Sequence, residues 1–206
     1  MCFSAQASFA ASGLLLLIGL YALKRAQKKN RALAALPLFF SIQQALEGIV
    51  WITYNNPNQL SLCNFATYGF CFFAFFFWPT WLPFAILQQE RILKRRKILY
   101  VLLALGVGIT FVLILSVMKN GIGLAVACHH IKYDISYSSY QNWIGAALYC
   151  LATIMPFFVT STKKFAWLGA LMFSSALLTH FVYENFFVSV WCFFAALLSS
   201  IIAWIV

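Results

Sequence analysis

Twelve of the 14 basic residues stand in three short clusters, and each cluster separates two apolar stretches. The clusters are Lys24, Arg25, Lys28, Lys29 and Arg31; then Arg91, Lys94, Arg95, Arg96 and Lys97; then Lys163 and Lys164. A helix of about 20 apolar residues crosses the bilayer core, and cytoplasmic loops collect Lys and Arg. With 64% apolar and 9% charged residues, the chain has too few charges for a soluble surface, which carries about a quarter. The expected fold is therefore all-α: a polytopic membrane protein, with one domain over residues 1–206 forming a seven-transmembrane-helix bundle. The net charge of +10 follows from the loop clusters and their attraction to anionic headgroups. Nucleic acid is excluded as a partner, because no soluble surface remains to bind it.

Reading the apolar stretches in order predicts spans over 4–23, 33–54, 63–87, 98–118, 141–160, 165–185 and 187–206. Pro79 and Pro83 should kink or break the third span, since each removes a backbone donor. Its Phe tract reads as lipid-facing bulk. Residues 119–140 form a long polar loop. With all three clusters inside, the N-terminus lies outside and the C-terminus is cytoplasmic. Only Lys119 and Lys132 then remain outside as cations. The expected location is the bacterial cytoplasmic (inner) membrane, with membrane lipids as partners and a homo-oligomer compatible with the composition. No charged n-region precedes the first apolar run, so the N-terminus does not read as a cleavable signal peptide.

Ionisable groups inside a membrane are costly and mark functional sites. Glu47, Glu184 and His180 fall within predicted helices. At 1.5 Å rise per residue, Glu47 lies roughly 21 Å above the inner start of its span, in a core about 30 Å thick. His180 lies at nearly the same level, Glu184 one turn above it, and the His129-His130 pair in the outer loop. Titratable groups other than the loop charges thus gather in the outer half. Gln43, Glu47 and Trp51 share one helical face, bordered by Gln44. Trp191 and Cys192 lie near the outer boundary of the last span. His180 and Glu184, four residues apart, could present two ligands to one metal ion. Each group also has a bland alternative: a protonated Glu47 bonded to Gln43 or to a neighbouring helix, an interfacial His180–Glu184 pair, solvated loop histidines, and Trp51, Trp143 and Trp191 as interface anchors.

Of the six cysteines, Cys71 and Cys150 fall mid-helix and read as small apolar residues. Cys63 and Cys128 are both on the outer side, where a disulfide between them would pin the long loop over the bundle. Removal of Met1 would expose Cys2 beside a free α-amine, able to act as a base for its thiolate or as a second ligand.

The segments Met1-Cys2-Phe3-Ser4-Ala5 with Ser8-Phe9, Ile42-Gln43-Gln44 with Glu47-Gly48, and Val190-Trp191-Cys192-Phe193-Phe194-Ala195-Ala196 together resemble an uncharacterised family of bacterial multi-pass membrane proteins. That resemblance implies the topology and directs attention to these segments. A looser resemblance is to the seven-helix zinc-dependent membrane hydrolases that include alkaline ceramidases. Those use a serine, an acid and three histidines. Here Ser4 or Ser8, Glu47 and three histidines are available, with His180-x-x-x-Glu184 in place of a paired His-x-x-x-His. Microbial rhodopsins are excluded, as the last span has no Lys for a retinal Schiff base.

Two functions follow as expectations. The first is a metal-dependent hydrolase of a lipid, ester or amide, working at the outer face. His180, Glu184, His129 and His130 would hold zinc or another divalent transition metal, Glu47 would be the general base, and Cys2 and Ser4 would be nucleophile candidates. The second is a small transporter, channel or ligand sensor whose outer cavity is lined by Gln43, Gln44 and Glu47, with Trp51, Trp191 and Cys192 nearby. Its partner would be a small molecule or lipid reached from outside. A haem or quinone site using His180 is a third class.

Overall fold

The computed structural model describes residues 4–127, 129–135 and 139–205, with residues 139–143 described by their backbone alone. The chain forms α1 (Ala5–Arg25), the short α2 (Arg31–Ala34), α3 (Leu36–Thr53), α4 (Leu60–Cys71), a π-helix (Phe72–Phe77), α5 (Trp78–Gln89) and α6 (Leu93–Asn120). Strands β1 (Gly123–Ala127) and β2 (His130–Asp134) follow, then α7 (Ser139–Val159), α8 (Lys163–Val182), α9 (Phe187–Ser199) and α10 (Ile202–Ile205). Among the described residues, six helical stretches are long and apolar enough to cross a membrane, and Ile144–Val159 of α7 is a shorter apolar helix.

The bundle is tied first by α1 against α3. Ser12 and Ser41 each donate a hydroxyl proton to the other's backbone carbonyl, at 2.8 Å. At Gly48 the ring of Phe9 lies so near that an added Cβ would approach it to 2.8 Å. These contacts align the two helices antiparallel: residue 12 is level with 41, and residue 9 with 48. The first turn of α1 is capped by Ser4, whose hydroxyl accepts from the N–H of Ala7 at 3.3 Å, as N-cap serines do.

The proline-rich span is continuous rather than broken. Pro79 cannot donate to the carbonyl one turn earlier, nor Pro83 to that of Pro79. The chain takes up the mismatch as a π-helix, and neighbouring hydroxyls satisfy its carbonyls. Tyr149 donates to Ala74, Thr110 to Phe76 (3.1 Å) and Thr80 to Phe77 (2.9 Å). The Pro79 carbonyl points at Gly106, where a Cβ would come within 1.9 Å of its oxygen. Glycine is required there for α5 and α6 to approach. Phe73 and Phe77 pack inward against Phe39 and Trp81, so the Phe tract is only partly the lipid-facing bulk expected.

Residues 119–140 are not simply a polar loop. Lys119 and Asn120 close α6, and β1 and β2 pair antiparallel from Gly123↔Asp134 to Ala127↔His130. His129, in the tight connection, has φ 59°. Ile131 and Tyr133 are buried while Asp134 is exposed, so one face of β2 plugs the mouth of the bundle. Tyr133 stacks on Phe70 of α4 with centroids 4.4 Å apart.

At the opposite, basic end, four of the five cations of the second cluster lie inside α6 rather than in a loop. Arg95 donates to the Val159 carbonyl (3.0 Å), and Arg96 to those of Leu87 (3.2 Å) and Glu90 (3.0 Å). They close the C-terminal ends of α7 and α5, where backbone acceptors lack intrahelical partners. Glu90, 1% exposed, accepts from the N–H groups of Arg91 and Ile92 (both 2.9 Å) and of Ser161 (2.6 Å). Its carboxyl thereby joins two inter-helix loops and complements the positive start of α6.

Candidate functional site

The last three turns of α3 carry Gln43, Gln44 and Glu47, all at most 1% exposed. A run of apolar neighbours makes these positions helical, and their spacing turns all three toward the bundle interior. Glu47 accepts from the side chain of Gln44 (3.2 Å) through one oxygen and from the Ser189 hydroxyl of α9 through the other. Gln43 accepts from the indole N–H of Trp78 at 2.9 Å. Trp78 follows directly on the π-helix and is stacked on Phe40 at 4.0 Å. The π turn therefore sets the orientation of Gln43, because the indole bond fixes which end of the amide is the acceptor.

The network is incomplete in a consistent way. Gln44 Oε1, Ser8 Oγ and the Tyr133 hydroxyl are all buried without a hydrogen-bond partner, and Gln43 Nε2 has only the Cys192 thiol beside it. Ser8 is one turn beyond Ser12 on α1, and Gln44 to Gly48 are one to two turns beyond Ser41 on α3. The antiparallel register thus sets Ser8 level with Gln44–Gly48. Tyr133 reaches toward the same level from the hairpin. Burial foremost, with the Glu47 charge adding to it, holds its phenol well above the usual tyrosine range. Cys71 and Cys192 flank Glu47, and with Cys63, Val50, Phe70 and Ile131 they form the apolar wall. Trp191 is buried against Tyr149 and Phe187, and Trp51 is half-buried beside Tyr54.

The expected metal ligands do not converge. Helix α8 ends at Val182, where Tyr183 leaves helical geometry (φ −131°, ψ 38°), and Glu184 opens a separate 3-10 turn. His180 and Glu184 therefore do not share a helix, and both are exposed. His129 is exposed in the hairpin connection, whereas His130 is buried against Phe186 and Tyr183, with centroids at 4.8 and 5.1 Å. Among the described residues, no three His, Cys, Asp or Glu side chains are placed to hold a metal ion. Ser4 is an exposed helix cap. Cys2 and Cys128 lie outside the described residues, and with them the Cys63–Cys128 pairing; Cys63 itself is a buried free thiol.

Sequence reasoning found Gln43, Gln44 and Glu47 but missed Ser189, Trp78 and Tyr133. Ser189 carried a signal, as a small polar residue two positions before Trp191 in an otherwise apolar helix. Tyr133 carried another in the alternation Ile131-Lys132-Tyr133-Asp134, the period of a half-buried strand.

An apolar helical bundle with six stretches long and apolar enough to cross a membrane defines the class of polytopic helical membrane proteins, here with a buried polar site beneath a hairpin cap. Over residues 1–206, its whole length, the chain belongs to a family of unknown function (DUF6629). No curated protein and no solved structure matches it. Membership agrees with the resemblance carried by the Met1–Ala5, Gln43–Gly48 and Val190–Ala196 segments. The likeness to alkaline ceramidase-like hydrolases is left without support by the comparisons.

Proposed function

We propose that this protein is a membrane-embedded receptor for a small polar solute, of the sensor or transporter class, with Glu47 at the centre of its site. The hairpin and the N-terminus face outward and the basic end faces the cytoplasm, with α7 as a seventh crossing of a bacterial inner membrane. The distribution of the basic clusters supports that orientation.

One observation carries the binding function. Three unpartnered polar groups, Gln44 Oε1, Ser8 Oγ and the Tyr133 hydroxyl, are buried at one level of the bundle, beside a Gln43 Nε2 that has only the Cys192 thiol. A buried polar group without a partner costs about 1–3 kcal/mol, and such groups are normally satisfied by protein or ordered water. Together they support the binding of a polar species among them. The hydrolase alternative has less support, since its metal donors stand apart.

Treating the protein in lipid nanodiscs with a water-soluble carbodiimide and an amine, then mapping peptides by mass spectrometry, tests access to the site. Modification of Glu47, despite its burial, is the expected result. Complete reaction of the exposed Asp134 and Glu184 with none at Glu47 would contradict an open route to the site.

A further inference from the structure

We infer that the solute held at Glu47 is a small monovalent cation, bound by the Glu47 carboxylate together with Gln44 Oε1, Ser8 Oγ and Ser189 Oγ. This rests on the polar-site function proposed above and names its ligand class.

Charge is the first reason. Both Glu47 oxygens are hydrogen-bonded, to Gln44 and Ser189, and ionising a carboxyl in so buried a place calls for a positive partner. Yet among the described residues no salt bridge reaches it. Lys132 is paired with Asp134 at 3.5 Å on the hairpin surface, and the basic clusters occupy the far end of the bundle. A buried charge is paired or it is very costly. The other acids do not enter the site: Asp134 and Glu184 are exposed, and Glu90 belongs to the basic end. One carboxylate is therefore matched by a single positive charge, and a divalent ion would leave a surplus.

Donor chemistry is the second reason. Gln44 spends its amide nitrogen on Glu47, which leaves Oε1 as a pure acceptor with nothing to accept. Ser8 brings an unpartnered hydroxyl oxygen from α1 at the same level, and Ser189 keeps lone pairs after its bond to Glu47. The set is all oxygen, as hard cations require. Gln43 faces the other way chemically. Its oxygen is taken by Trp78 and its Nε2 is a donor beside the Cys192 thiol, so it is not a ligand for the ion.

Thermal unfolding of the purified full-length protein, in choline chloride progressively replaced by NaCl at constant ionic strength, tests this. A ligand that binds only the folded state raises Tm saturably. We expect such a rise for the wild type and its loss in Glu47→Gln. In Ser8→Ala the half-saturating concentration should be about tenfold higher, as for one lost ligand bond. If Glu47→Gln does not fold, Ser8→Ala decides. Superimposable melts in NaCl, KCl and choline chloride, an intact response in either variant, or stronger stabilisation by MgCl2 than by NaCl would each overturn the proposal. Carbodiimide modification of Glu47 alongside superimposable melts would overturn the cation and leave the polar site standing.

Discussion

Ser189 on α9 donates its hydroxyl proton to Glu47 on α3, joining two helices 142 residues apart in the chain. Both partners are at most 1% exposed, so neither can turn to water instead. Replacing Ser189 by Ala leaves a buried carboxylate oxygen short of a donor, with an expected cost of about 1–3 kcal/mol. In a double-mutant cycle with Glu47→Gln, unfolding measurements should give a coupling above about 0.5 kcal/mol. Additive effects would mean that the bond does not form in the membrane.

The approach of α5 to α6 depends on one missing Cβ. Gly106→Ala would place a methyl group 1.9 Å from the Pro79 carbonyl oxygen, a backbone atom that cannot swing away. Overpacking of this kind costs about 1–3 kcal/mol or more. Gly108, two residues on, has nothing within 4 Å of the same added atom. Gly108→Ala should therefore be neutral or slightly stabilising, since alanine is the better helix former. A comparison of the two Tm values checks both.

Glu90 should make stability acid-sensitive. Burial works against its ionisation, but the N–H groups of Ile92, Ser161 and Arg91 outweigh it and hold the carboxyl below its ordinary value of 4.5. In the unfolded chain it titrates near the ordinary value. Its stabilising contribution is thus complete above that pH and is lost as pH falls through the lower, folded value. Glu90→Gln should lower Tm at neutral pH and flatten the fall in Tm on acidification. An unchanged acid limb in the variant would exclude the loop-joining role.

His180 and Glu184 provide the opposite case. Both are exposed and stand on different elements. His180→Ala and Glu184→Ala should each change stability by no more than about 0.5 kcal/mol, the range for surface sites. A larger loss, recovered on adding zinc, would restore the metal-site expectation.

The parts of this fold written in hydropathy and charge were legible in the sequence; those that depend on tertiary geometry were not. Apolar length and the basic clusters located the helices, and the i, i+4 spacing of Gln43 and Glu47 brought out the face that forms the site. The same spacing misled at His180 and Glu184, because it presumes a helix that in fact ends at Val182. Helix termini depend on capping and packing as much as on residue type. The π-helix was foreshadowed by Pro79 and Pro83, but whether prolines break a helix or widen it depends on outside donors. Thr110 and Tyr149 supply these from helices distant in sequence. The β-hairpin went unread because Ile131 and Tyr133 are too few to mark a strand in so polar a stretch. What makes them a strand is the apolar mouth of Val50, Cys63, Phe70 and Cys192 that they cover. Ser189 was passed over because one serine in an apolar helix has no meaning until Glu47 is opposite it.

An experimental density map that shows ordered water tests most directly whether the unpartnered groups around Glu47 surround a bound polar species. Non-protein density within hydrogen-bonding distance of both Gln44 Oε1 and Ser8 Oγ is the expected result. A dry site, with the amides of Gln43 and Gln44 turned to satisfy each other or the backbone, would contradict it.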